Sequence, residues 1–124
     1  MSMKILLSIK PQFAEKILSG EKRYEFRRVI FKNPQVRVVL VYASAPIQKV
    51  VGEFTISEIL HDHLDCLWRK THKHSGITED IFYRYFENKD RGYALKICAV
   101  KKYRTPLCLR KHFGLFPPQS YVYL

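Results

Sequence analysis

The sequence predicts an α+β fold: a small mixed or antiparallel β-barrel with peripheral helices. The inferred order of elements, β-α-β-β-β-α-α-β-β, puts strands next to one another in the chain without regular crossover helices. That order argues against a doubly wound parallel sheet. Gly52 lies inside a strand pattern, at the kind of point where barrels bend. A chain of 124 residues fits one domain, 1–124, with enough apolar residues to bury a core.

The first half of the chain alternates a strand, a helix and two more strands. Met3–Ile9 is a short apolar strand. Pro11 suits the first position of a helix, and Gly20 suits the left-handed position that ends one. A second strand is predicted over 22–30. After the turn "NPQ", Val36–Ala43 is apolar on both faces, which predicts a central strand.

The second half contains a long strand, two helices and the strands that end the chain. Ile47–Leu60 alternates between polar and apolar residues, as a strand does. The apolar residues of 64–68 predict a helix, and Thr78 suits the N-cap of the next one. Tyr93–Tyr103 predicts another long strand, and the tail "FPPQSYVYL", 116–124, predicts a short final one.

The charge of the chain predicts a polyanionic partner. Twenty-two Lys and Arg face eleven Asp and Glu, so the net charge is +11. Such a balance favours nucleic acid first and an anionic membrane second. No acid follows Asp90, and the segment 91–124 contains seven bases: Arg91, Lys96, Lys101, Lys102, Arg104, Arg110 and Lys111.

The cysteines and the apolar runs predict a cytoplasmic protein without a membrane partner. Cys66, Cys98 and Cys108 are odd in number and lack a CxxC spacing, which is typical of a reducing compartment. The apolar run near the first residue is too short for a signal peptide, and none approaches transmembrane length. Nothing in the sequence calls for a cofactor.

The stretch "SGEKRYEFRR", 19–28, has the densest charge in the chain. In an extended strand Glu25 and Arg27 share one side, while Tyr24 and Phe26 share the other and are the natural core residues. Glu25 could pair with a neighbouring arginine. Exposed pairs of this kind contribute only about 0–1 kcal/mol. Spacing alone therefore leaves two interpretations open: a salt-bridged exposed strand, or the face of a binding site.

This stretch resembles a known family. "SIKPQFAEKILSGEKRYEFRR" is similar to the opening of ASCH domains: a strand, a "KP" helix, and a signature of glycine, lysine, glutamate and arginine. "YASAPIQKVVGEF", 42–54, resembles the family's Ser-x-Pro turn and following strand. The matching residues of the first motif are Lys10, Pro11, Gly20, Lys22, Glu25 and Arg27.

The resemblance implies a PUA-like domain with a cleft that binds RNA or a nucleotide. Lys22 and Arg27 would hold a phosphate while Glu25 accepts a hydrogen bond from a base. Tyr24 or Tyr42 is either a base-stacking platform or a core residue. The expected ligand-binding residues are Lys10, Lys22, Glu25, Arg27, Arg28 and Ser44.

Two other functions stay open. Some bacterial relatives hydrolyse acetylcytidine with a lysine, a threonine and a glutamate; Lys22 falls at the lysine position, but Glu25 stands where the threonine would be. If the protein is an enzyme, a ribonuclease or an amidohydrolase, Lys22 and Glu25 are the catalytic candidates, and Lys22 would need a pKa lowered toward neutrality. The third possibility is a regulatory module that acts through protein contacts.

A histidine-rich segment offers a weaker candidate site. His61, His63, Cys66, His72 and His74 lie within fourteen residues, and zinc uses such ligands. The spacing matches neither a CxxC pair nor HExxH. We therefore expect no metal, and we interpret "RKTHKH", 69–74, as a basic helical insert near the cleft.

Overall fold

The computed structural model describes residues 3–124 and contains one six-stranded sheet with four α-helices. The strands are β1 (Met3–Ile9), β2 (Tyr24–Arg27), β3 (Val36–Ala43), β4 (Lys49–His63), β5 (Arg91–Leu107) and β6 (Tyr121–Tyr123). The helices are α1 (Pro11–Ser19), α2 (Leu64–Thr71), α3 (Glu79–Tyr85) and α4 (Leu109–Phe113), with a 3₁₀ turn at His72–His74.

The predicted mixed α+β fold is confirmed, but closure into a barrel is wrong. The strand order is β2-β5-β4-β3-β1-β6, and β1 pairs with β3 in parallel while the other pairings are antiparallel. Within residues 3–124, β2 and β6 are the two edges and no backbone ladder joins them. Both edge strands are short, since β6 pairs with β1 over three residues and β2 pairs with β5 over four. The sheet therefore stays open between β2 and β6.

Side chains join the two edges where the backbone does not. The Phe31 ring lies 6.3 Å from that of Tyr121, edge to face. The Tyr123 hydroxyl accepts hydrogen bonds from the backbone N–H groups of Lys32 and Asn33, at 3.0 and 3.1 Å. The sheet is therefore curled so that the segment after β2 contacts β6, and a cleft between these edges lies open to solvent.

Three apolar clusters hold this curled sheet. One lies inside the curl, where α1 packs on residues of β1, β3, β4 and β5, Phe54 among them. A second lies on the outer side of β1 and β3, beneath α4. The third packs α2 and α3 on β2 through Phe26, whose ring lies 5.2 Å from that of Phe82.

Gly52 explains the bend that the sequence predicts in β4. The ladder shifts register beside it on both neighbours, between Val41 and Tyr42 and between Val50 and Gly52. A Cβ at Gly52 would lie 2.5 Å from the carbonyl oxygen of Lys101 and 2.6 Å from Leu18. The expected bulge and close approach are therefore both present, and α1 packs directly on the glycine.

Candidate nucleic-acid interface

Glu25 and Arg27 lie side by side on one face of β2, and both are nearly enclosed. The Arg27 Nη1 donates to the Glu25 Oε2 at 3.3 Å, and their side chains are 12% and 8% exposed. Phe26 points to the other face and is buried against α3. The predicted alternation is therefore present, but β2 is covered on both faces. The Glu25–Arg27 pair is therefore nearly buried and is not a solvent-exposed salt bridge.

Ser120 is the third member of this group. The Arg27 Nη2 donates to the Ser120 Oγ at 2.7 Å, across the gap between the two edges of the sheet. Ser8 fixes the segment before β6, because its Oγ donates to the Pro118 carbonyl at 2.7 Å and its N–H to the Ser120 carbonyl at 3.3 Å. The Arg27 guanidinium is thus held at two points, and those bonds use two of its five N–H donors.

A cavity of about 400 Å³ opens beside the arginine, and we call it the Arg27 cleft. Arg28 lines it and is itself anchored, since its Nη1 donates to the carbonyls of Tyr85 and Glu87, both at 2.8 Å. Partial burial raises the pKa of the Tyr85 phenol, so this hydroxyl keeps its proton at neutral pH. The residues that line the cleft are Arg27, Arg28, Val29, Tyr85, Lys89 and Ser120.

Lys22 lies just before β2 in the chain, and only 2% of the residue is exposed. Its Nζ donates to the Ser75 carbonyl at 2.8 Å and lies 4.7 Å from the centre of the Phe26 ring. The two neighbouring carbonyls also accept hydrogen bonds, that of His74 from the Arg23 N–H and that of Gly76 from the Lys16 Nζ. Lys22 therefore ties the segment 74–76 to the start of β2.

Burial lowers the pKa of Lys22 to about 8, although the nearby Glu25 carboxylate opposes this shift and the Lys16 charge adds to it. A lowered lysine pKa is what an enzymatic role requires. The ammonium, however, is in contact with a carbonyl and an aromatic face. Its position is explained by the packing of the 74–76 segment without any ligand.

The lowered pKa of Lys22 predicts how stability changes with pH. Between about pH 8 and 10.5 the unfolded chain holds this proton and the folded chain does not, so the free energy of unfolding rises with pH. Titration of Lys22 over its full range raises the free energy of unfolding by about 3 kcal/mol, and about 2–3 kcal/mol of that rise falls between pH 7 and 10. We therefore expect the free energy of unfolding of wild type, measured by urea denaturation, to rise by that amount relative to Lys22→Met between pH 7 and pH 10. If wild type and Lys22→Met differed in stability by the same amount at both pH values, burial of the Lys22 ammonium would be contradicted. Lys101→Met, which changes an exposed lysine, is the reference variant.

The other predicted site residues lie elsewhere. Lys10 is exposed at the start of α1, and Ser44 follows β3, where its N–H donates to the Ile9 carbonyl at 2.9 Å. Neither lines the Arg27 cleft. Tyr42 is 3% exposed and Tyr24 packs beside Phe26, so both belong to the core.

The histidines do not meet at one point. His61 stacks on Tyr93, His63 lies 3.1 Å from the Arg91 guanidinium, and His72 packs against Trp68. Among residues 3–124, no group of three His, Cys, Asp or Glu side chains is placed to hold a metal ion. The three cysteines, all in this range, are free thiols. In the same range, no helix has the length and apolarity needed to cross a membrane.

Ser120, Tyr85 and Lys89 were not among the predicted site residues. Ser120 is 93 residues from Arg27 in the chain, and Tyr85 lies in a helix whose pattern predicts a buried stripe. The available signal was the tail "FPPQSYVYL", whose short strand was predicted but whose partner was not. Only the pairing of β6 with β1 places that serine opposite β2.

The family model named ASCH domain matches residues 7–107, which is most of the chain. The chain belongs to the ASCH family. The crystal structure of ASCH from Zymomonas mobilis superposes with a TM-score of 0.90 at 27% identity, covering 98% of this chain and 87% of that one.

Two relatives by sequence cover nearly all of this chain. An ASCH domain-containing ribonuclease of Zymomonas mobilis is 29% identical over 125 residues, which are 96% of this chain and 82% of that protein. A Ureaplasma parvum protein named large ribosomal subunit protein uL22 is 33% identical over 121 residues, 97% of this chain. The chain spans only 39% of the length of that second relative.

Proposed function

We propose that this chain binds RNA in the Arg27 cleft. The observation that supports this most strongly is the Arg27 guanidinium, which is held at two points beside an open cavity with donors left for a ligand. Arginine in a fixed orientation is the side chain best suited to a phosphate. The ribonuclease name of the Zymomonas mobilis relative also favours RNA.

The cleft has room and chemistry for one nucleotide. Its volume of about 400 Å³ is within the usual range for small ligands. Arg27, Arg28 and Lys89 offer positive charge to the phosphate, and the Tyr85 ring, 39% exposed, offers a surface for a base. Glu25 accepts from Arg27 and holds it in place. In this proposal Lys22 is a positioning residue, because it supports β2 from below.

Salt dependence tests this proposal without disturbing the buried groups. The logarithm of the affinity for single-stranded RNA should fall linearly with the logarithm of salt concentration. Lys89→Gln removes an exposed charge from the cleft, so it should weaken binding and reduce that slope by about 1. Lys101→Gln removes an equally exposed charge from the far half of β5 and should change the slope less. Fluorescence anisotropy at several salt concentrations measures both.

Two results would sink the proposal: no binding at low salt, or an equal loss for the two variants. The equal loss would mean that RNA responds to the overall charge of +11 and not to the cleft. The regulatory alternative predicts the second of these results, because it gives the chain no affinity for RNA above that of any basic protein.

Cleavage of RNA is the second candidate, favoured by the name of the same relative. Attack of a ribose 2′-hydroxyl on phosphorus, with loss of the 5′-oxygen, needs a base, an acid and positive charge at the phosphate. Arg27 supplies the charge and Glu25 is the carboxylate beside it. RNA recovered from the titration and run on a denaturing gel separates the cases: intact RNA means binding alone, and fragments with 2′,3′-cyclic phosphates mean an enzyme.

A further inference from the structure

A second basic groove adjoins the Arg27 cleft. Its volume is about 730 Å³, and it lies beside the Arg27 cleft because Arg28, Val29 and Lys89 line both cavities. We call it the His61 groove. Its wall contains four bases and one acid, Asp90. The cationic and ring side chains of this wall that solvent reaches are Arg28, Lys32, His61, Lys89, Arg91 and Tyr93.

A row of three side chains leads from the first cavity into the second. Arg27 on β2 is paired directly with Tyr93 on β5, and Tyr93 is paired directly with His61 on β4. Directly paired residues of neighbouring strands project from the same face of the sheet, about 5 Å apart. A ligand that contacts Arg27 can therefore extend across the strands to His61 in a straight line.

The end of this row is a flat aromatic surface. The His61 and Tyr93 rings stack with their centres 4.1 Å apart and their planes within 8°. His61 is exposed, so the stacked pair can receive another ring from solvent. Two exposed cations line the same groove: Arg91, whose guanidinium contacts His63, and Lys32. A stacking platform flanked by cations is how proteins bind unpaired bases and the phosphates between them.

We propose that the His61 groove binds a second nucleotide of a single-stranded RNA whose first nucleotide lies in the Arg27 cleft. The proposal rests on the proposed function and extends it from one nucleotide to a track. The His61 ring stacks on a base, and Lys32 and Arg91 contact the phosphates beside it. The strand must be single because a paired base cannot lie flat on an aromatic side chain.

The length of the RNA separates this proposal from the first one. Uridine monophosphate, a single nucleotide, should bind the Arg27 cleft alone, whereas an octanucleotide of uridylate should reach both cavities. We expect His61→Ala to weaken octanucleotide binding about tenfold, the usual effect of losing one stacked base. Its effect on the binding of uridine monophosphate should be small. His61→Phe keeps a flat ring and should restore the affinity for the octanucleotide.

A charge variant with a matched control provides a second measurement. Lys32→Gln should lower octanucleotide affinity more than Lys101→Gln, because both lysines are exposed but only Lys32 lines the groove. Neither side chain is buried, so both variants should fold. Each can be checked by its circular dichroism spectrum before titration.

Each outcome supports or overturns the second site. If His61→Ala binds the octanucleotide as tightly as wild type while Tyr85→Ala, which changes the Arg27 cleft alone, binds it weakly, the first cavity stands and the second proposal is wrong. If wild type binds neither RNA, both fail. If His61→Ala lost the same affinity for the mononucleotide as for the octanucleotide, a second subsite would also be ruled out. A polyglutamate peptide that competed as well as RNA would show that the groove is not specific for RNA.

Discussion

Arg27→Met should destabilise the protein by about 3 kcal/mol. The substitution leaves the Glu25 carboxylate, whose side chain is 8% exposed, without the guanidinium that donates to it at 3.3 Å. Breaking a buried ion pair from one side usually costs 3–5 kcal/mol. The low end is expected here because the nearby Lys22 ammonium still attracts the Glu25 carboxylate. Urea denaturation at pH 7 measures the loss directly.

The matched control is the double variant Glu25→Gln with Arg27→Met. Because it removes both charges, it should recover most of the stability lost by the single variant. If the double variant is as unstable as Arg27→Met, the destabilisation comes from lost packing or from the Ser120 bond, and the buried charge of Glu25 is not its cause. RNA affinity should stay low in both variants, because both lack the guanidinium.

Gly76→Ala should destabilise the protein by about 3 kcal/mol and disturb the position of Lys22. Gly76 has a φ of +70°, which costs an L residue about 1 kcal/mol. Its added Cβ would also lie 2.6 Å from the Lys22 Cβ and 3.1 Å from the Lys22 Cα, so the close contact includes the backbone. Overpacking of this kind costs about 1–3 kcal/mol more.

Gly20→Ala separates the two causes. Gly20 has a φ of +87° at the end of α1, but a Cβ there would meet nothing within 4 Å. It should therefore cost only about 1 kcal/mol, the strain of the left-handed conformation. Equal losses at the two glycines in thermal or urea unfolding would mean that contact between Gly76 and Lys22 contributes nothing.

The elements with strong local signals were predicted well from the sequence. The strands β1 and β3 begin and end where their apolar runs do, and α1 begins at Pro11 and ends before the left-handed Gly20. β2 is shorter than predicted, because the chain pairs with β5 only over Tyr24–Arg27. The five-residue helix α4 was missed, because its one buried residue, Leu109, gives no periodic pattern.

The site was predicted only where neighbours in sequence are neighbours in space. Alternation along one strand placed Glu25 and Arg27 on the same side, and the structure shows them paired. The same alternation could not show that Ser120 completes the group, because that contact depends on the curl of the whole sheet. Nor could it show that Lys22 is buried, since the segment that covers it lies more than fifty residues away.

The Lys22 result changes which residues a ligand can contact first. The resemblance placed Lys22 in the binding group, and the structure places its ammonium against the Ser75 carbonyl with 2% of the residue exposed. Arg27 reaches an open cavity and Lys22 does not line it. We therefore propose that Arg27 binds the phosphate. For the Lys22 variant the expected effect is a change in the free energy of unfolding.

Chemical-shift mapping with a short single-stranded RNA tests the central proposal most directly. If RNA binds in the Arg27 cleft, the backbone amide signals of Arg27, Tyr85 and Ser120 should shift together and saturate along one binding curve. The exposed bases of the outer half of β5, Lys101, Lys102 and Arg104, should shift little. Shifts that concentrate on those bases while the cleft residues stay unchanged would contradict the proposal.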